Sequence, residues 1–326
     1  MTSGRAALHA AARPDPRPAP ETPLPERRTI LPLRTGLMFL APAAVFIFAF
    51  IILPFFWVAV VSFTNRSLTG PGALHPHFVG LKNYAQLFAP GTFLQPGQFG
   101  SSLLITAQFV FFSALIGQAV LGLFLAWFFY RREGWVKQTV QTLAIGAWII
   151  PDVVVAFAWS AFLDYRQGTL NHILGALHLG RVDWLLGVPL LSIILFNTWR
   201  GTAFSMLLFS SALGSIPPSH LETADVNGAN AWQKLRDIVL PLIRTHIVTD
   251  LILITLWTFN TFTPFLITGG GPAFKTEVVS ILTYRIAFRY FNFGSGSAIG
   301  MIMMLINLAF ALVYLSLLRR QQGAAT

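Results

Sequence analysis

Two charges and one amide stand where this sequence is otherwise most apolar. Arg200 lies in "FNTWRGTAF", Asp152 in "WIIPDVVV" and Asn260 in "LWTFNTFTP". A charge within a hydrocarbon layer costs about 2.5–3.5 kcal/mol on insertion scales, so such residues face a cavity or a partner. Arg200 and Asp152 therefore have two readings. They are an ion pair holding two segments together, or Arg200 lines a path for a solute. Asn260 has Trp257 one helical turn before it. An amide beside an indole offers hydrogen bonds next to a flat apolar face, a pairing suited to a sugar ring. An Asn in this setting also serves as a hydrogen bond between helices. Other chemistry is excluded. The chain has no cysteine, so disulfides, thiol catalysis and Cys-ligated metal are out. Its seven His show no metal-ligand spacing. No G-x-x-x-x-G-K-[ST] phosphate loop is present, so the chain is not expected to hydrolyse ATP.

The elements that must position these residues are membrane helices. Of 326 residues, 55% are hydrophobic and only 10% charged, with 30 Phe, 9 Trp and a mean hydropathy of +0.65. That composition predicts an all-α polytopic membrane protein. The net charge of +10 is scattered between apolar runs and forms no continuous basic stripe, which argues against a nucleic-acid partner. Six stretches reach the roughly 20 residues that a membrane helix needs: 37–63, 101–130, 139–163, 188–213, 245–268 and 297–318. Pro54, Gly117, Pro151 and Gly201 fall inside them and predict kinks, not breaks. At 1.5 Å per residue, Arg200 and Asp152 both lie roughly 20 Å from the same side. Residues 1–35, with "RPDPRPAPETPLPERR", read as a disordered tail, 36–320 as the membrane domain and 321–326 as a short second tail. The first apolar run is too long for the core of a cleaved signal peptide. With both ends inside, 14 of the 22 Lys and Arg lie on the inner side and 7 on the outer, so both termini are expected in the cytoplasm.

One inner segment is a polar interruption, "ETADVNGANAWQKLRDIVLPL" at 222–242. Pro217 and Pro218 end the preceding span, and Ser219 with Glu222 three residues on fits a capping box. Gly228 ends that short helix or turns the backbone. Trp232, Leu235 and Ile238 or Val239 share one face of the helix that resumes, and Pro241 leads into the next span. Residues alone are consistent with an ordinary interfacial helix hairpin.

The same stretch resembles the EAA loop of permease subunits of binding-protein-dependent ABC importers. Glu222, Ala224, Gly228, Ile238, Leu240 and Pro241 fall on that pattern, and Thr223 departs from it by a small-for-small change. "FVGLKNYAQLF", "LITGGGP" and "SAIGMIMMLI" extend the likeness to the carbohydrate-uptake branch, of the maltose and glycerol-phosphate type, over residues 36–320. The resemblance implies a six-span bundle with a cytoplasmic coupling helix at 219–241 that seats in a cleft of a separate ATPase. Glu222, Thr223, Ala224, Asp225, Gly228, Ala229, Leu240 and Pro241 then form the coupling surface. Glu222 and Asp225 complement the helix dipole, while Lys234 and Arg236 are placed to pair with the partner. The resemblance also implies that Arg200, Gly201, Phe204, Trp257 and Asn260 line the solute cavity. It implies a second related permease, two ATPase subunits that bind ATP and Mg, an extracytoplasmic binding protein and a sugar or oligosaccharide as cargo. This chain itself would be non-catalytic and hold no cofactor or metal. An anionic solute such as a glycerol phosphate stays open because of Arg200. A secondary transporter is disfavoured, since no inverted repeat is evident.

Overall fold

The computed structural model describes residues 33–323, which form helices and loops with no strand among them. The chain divides into two compact units, one ending at Ile52 and one running from Leu53. In the first, the helix begins at Leu33, inside the stretch expected as tail, and includes a π turn over Phe48–Ile52. The rest of the expected N-terminal tail, and 324–326 of the second tail, lie outside the described residues. The contacts and cavities described below all lie in the second unit.

Three helices are long and apolar enough to cross a membrane: α1 (Arg34–Ser62), α2 (Phe99–Phe128) and a C-terminal helix whose apolar part is Phe293–Arg319. Two bent pairs raise the number to as many as five. The first pair corrects the expected third span. Helices α3 (Trp135–Ile149) and α4 (Asp152–Phe162) meet at 108° and do not continue one another. Proline pushes the residue before it out of helical geometry, and Ile150 accordingly has ψ 135. Pro151 then supplies the N-cap of α4, with Asp152 in its first turn facing the positive end of the helix dipole.

The expected fourth span is α5 (Pro189–Gly214), whose 26 residues extend about 39 Å at 1.5 Å each. Its length suffices, but Asn197, Thr198 and Arg200 dilute its hydropathy, and it is not among the helices that are apolar enough by composition. After α5 come α6 (Pro218–Val226) and α7 (Ala231–Leu242), then α8 (Arg244–Asn260), bent from α7 by 75°. The expected fifth span is interrupted at Thr261 and Phe262 before the short helix α9 (Thr263–Thr268), with Pro264 in its first turn. The C-terminal helix, α10 (Phe293–Gly323), runs three residues past the expected boundary of the membrane domain.

Of four apolar clusters among the described residues, three join α2 and its neighbours around the site. At one end Ala126, Met206, Phe209, Leu213, Leu221, Val239 and Ile243 join α2, α5 and the α6–α7 loop. Ala114, Ala119 and Ile254 lie between α2 and α8. Toward the other end Phe109, Val155, Ile193, Phe196 and Ile281 tie α2, α4 and α5 to the helix at 279–284. Helices α2 and α5 approach closely at Gly201, where a Cβ would overlap the Gln118 amide. The absence of a side chain there leaves room for Gln118 Nε2 to donate to Ser205 Oγ at 3.3 Å.

Candidate functional site

Between α3, α5, α8 and α9 lies a cavity of about 640 Å³. Arg200, Gly201, Phe204, Trp257 and Asn260 all border it, as does Asp152. One wall is aromatic. Phe204 meets Trp257 edge-on with centroids 5.0 Å apart, and Trp148 stands 5.8 Å from Phe204 and 6.5 Å from Trp257. The other wall is polar, and its geometry follows from the break at Pro151. An interrupted helix leaves carbonyls without intrahelical partners. Arg200 Nη2 donates to the Ile150 carbonyl at 3.2 Å and also to Asp152 Oδ1. Thr263 Oγ1 donates to the second oxygen, Oδ2, at 2.7 Å. The Arg200 side chain is 17% exposed and that of Asp152 51%, so the pair sits at the cavity surface and not in a sealed core. Arg200 Nη1 is buried and has no hydrogen-bond partner. The third helix is broken, so equal depth along unbroken helices does not bring this pair together. The contact forms nonetheless, because the break turns the start of α4 toward α5.

Asn260 borders the cavity, yet its amide is engaged. Asn260 and Asn307 exchange hydrogen bonds at 2.9 and 3.0 Å, and Asn260 Nδ2 also donates to the Leu256 carbonyl at 2.7 Å. The interhelical reading of this residue is therefore the one realised in this conformation. Trp148, Asn197 and Thr258 also line the cavity and were missed in the sequence. Asn197 donates to Ser113 Oγ at 2.8 Å and Thr258 Oγ1 at 3.4 Å, stitching α5 to both neighbours. The available signal for Trp148 was its place four residues before Asp152, across the Pro151 break. Another residue missed is Asp250, fully buried in α8, with Ser205 Oγ 2.9 and 3.0 Å from its two oxygens.

The polar loop is a pair of short helices joined by a tight turn. Helix α6 is not capped by Ser219. Pro217 occupies the cap position, with Pro218 in the first turn and no side-chain cap. Its C-terminus closes at Gly228, φ +75, with Gly228 N bonding Asp225 O at 3.0 Å and Ala229 N bonding Ala224 O at 3.0 Å. That double bond with a left-handed glycine is a Schellman ending. The capping box belongs to α7 instead, where Asn230 Oδ1 accepts from Gln233 N at 2.9 Å and Gln233 Oε1 from Asn230 N at 2.8 Å. Lys234 pairs with Asp225 across the turn. Arg131, just beyond α2, stands 3.8 Å from Glu222 and 3.7 Å from Asp225. Leu221 and Val239 anchor the loop in the core, whereas Trp232, expected to share a face with Leu235 and Val239, is 65% exposed. Of the expected coupling residues, Glu222, Thr223, Asp225 and Pro241 are exposed and Leu240 is half-buried. Ala224 is 7% exposed and packs inward, while Val226 is 89% exposed.

The described residues thus form a helical apolar bundle with a cavity and a loop of two short helices at one end. The family model for the inner membrane component of binding-protein-dependent transport systems matches residues 118–323, and the chain belongs to that family. It is the permease type of subunit of an ABC importer. It is 30% identical over 293 residues to the trehalose/maltose transport system permease protein MalF of Thermococcus litoralis, covering 86% of this chain and 92% of that one. It is 31% identical over 270 residues to the trehalose transport system permease protein SugA of Mycobacterium tuberculosis, covering 82% and 83%. In fold it matches a chain of a bacterial ABC transporter involved in import of the acidic polysaccharide alginate. That match has a TM-score of 0.72 at 23% identity, over 88% of this chain and 96% of that one.

Proposed function

We propose that this chain carries a neutral sugar or oligosaccharide across the cell membrane by alternating access. The observation that supports this most is the cavity's division into an aromatic wall and a polar wall whose two charges cancel. Trp148, Phe204 and Trp257 offer flat faces to a pyranose ring. Arg200 and Asp152 oppose them as a matched pair in the cavity wall. The names of the relatives, which include trehalose and maltose systems, support the same class of cargo. The 222–241 loop would seat in the ATPase, its exposed contacts being Glu222, Thr223 and Val226. ATP binding on that partner would move the loop, and the bundle would switch the cavity between the two sides. The full complex would add a second permease, a second ATPase and an extracytoplasmic binding protein, with both termini of this chain in the cytoplasm.

Uptake in cells lacking this chain tests the reading. Return of the wild-type chain should restore uptake of a neutral disaccharide, and Trp257→Ala should raise its KM. Arg200→Ala should do the same without altering discrimination between neutral and anionic solutes. A second reading, an anionic cargo, is favoured by the Arg200 guanidinium in the cavity wall. Selective loss of a phosphorylated or carboxylated solute in Arg200→Ala would replace the first reading with the second.

A further inference from the structure

A second cavity, of about 300 Å³, lies where the end of α2 meets the coupling loop. Three cations line it, Arg131, Arg132 and Lys234. Lys234 is spent on Asp225. Arg131 makes two long ion pairs, at 3.8 Å to Glu222 and 3.7 Å to Asp225, beyond the roughly 2.7–2.9 Å of a charge-assisted hydrogen bond. The Arg132 guanidinium lies 4.0 Å over the Phe128 ring and has no carboxylate partner among the described residues. Two guanidinium groups thus border one cavity, one in long ion pairs only and one with no carboxylate partner among the described residues. Counting Glu222 and Asp225 against the three cations leaves one positive charge, which a single phosphodiester would neutralise.

The membrane side of this cavity is apolar. Phe124 and Phe128, on the last turns of α2, border it and are 57% and 42% exposed. A free phosphate would use the cations and leave those rings uncovered. A lipid would use both, with its headgroup on the guanidinium groups and its acyl chain along the two rings. Basic pockets at the ends of membrane helices hold anionic headgroups in this way. We propose that this cavity is a seat for the phosphate headgroup of an anionic membrane lipid. The assignment rests on α2 being a membrane span, which its hydropathy supports, and does not depend on the identity of the cargo. A lipid held there bridges α2 to α6 and stiffens the coupling loop against the bundle.

Native mass spectrometry of the full-length chain in detergent, with equal amounts of phosphatidylglycerol and phosphatidylcholine, tests the proposal. The wild type should retain phosphatidylglycerol preferentially. Arg132→Gln, which breaks no ion pair, should lower that preference on the order of fivefold, and Arg131→Gln by a similar factor. Arg181→Gln, in the loop before α5, should leave it unchanged. Unfolding temperatures recorded alongside separate lost binding from lost fold. Equal retention of both lipids, or no response to Arg132→Gln in a folded protein, overturns the assignment. Thermal protection by millimolar inorganic phosphate equal to that by phosphatidylglycerol also overturns it, in favour of a free phosphate.

Discussion

The Arg200 guanidinium reaches Asp152, 48 residues away in sequence, and in the same grip holds the Ile150 carbonyl freed by the break at Pro151. One side chain thereby fixes the bend between α3 and α4 and contributes to the wall of the cavity.

Loss of either partner should therefore affect both assembly and transport. A fully buried pair would lose about 3–5 kcal/mol on truncation of one member. Asp152 is half exposed, so the expected cost is smaller, about 1–3 kcal/mol, read as a lowered unfolding temperature of the purified protein. Exchanging the two charges should restore only part of it, because Asp at 200 cannot donate to the Ile150 carbonyl. Full recovery in the exchanged protein would show that the carbonyl contact is immaterial.

Gly201→Ala should destabilise by about 1–3 kcal/mol, since its methyl group displaces the Gln118 amide and breaks the bond to Ser205. Shortening the obstructing side chain, Gln118→Ala, should recover part of that loss in the double variant. A thermal-unfolding cycle over the four proteins measures the coupling, and strict additivity would remove the steric explanation.

Gly228→Val places a β-branched residue at φ +75 and should distort the turn between α6 and α7 at a cost of about 1–2 kcal/mol. Asparagine at the same position should be tolerated. The Val variant should insert normally and lose uptake, and normal uptake would count against a coupling role for the loop.

Cysteine crosslinking separates the two sides of α6 in a chain with no cysteine of its own. Val226→Cys should link to the ATPase partner in membranes holding the whole complex. Ala224→Cys should react poorly, because its side chain is enclosed by its own bundle. Equal labelling of both would mean that the loop lies differently in the complex.

Asn260→Ala and Asn307→Ala should each cost about 0.6–1.7 kcal/mol, with the double variant costing little more than one of them. If Asn260 instead serves the cargo directly, it alone should raise the KM for uptake, and Asn307→Ala should not.

Much of this was legible along the chain because it is local or periodic. The apolar runs, the polar interruption, the glycine turn at 228 and the family pattern around it depend on residue types at short spacing. Arg200, Phe204 and Trp257 could be marked as cavity candidates from their spans and from the family likeness. The partners of those residues could not. Whether Pro151 kinks a membrane helix or breaks it depends on what satisfies the freed Ile150 carbonyl, and the donor comes from α5. Whether Asn260 offers its amide to a cavity depends on Asn307 in the last helix, and Ala224 points inward because α6 docks through Leu221. The cavity that Arg131 and Arg132 share with Lys234 is likewise invisible until the end of α2 is brought beside the loop. Composition sets which segments leave water, since burial free energy scales with apolar area. Hydrogen bonds and ion pairs between distant segments are set by angstrom-level geometry, and only the packed helices supply it.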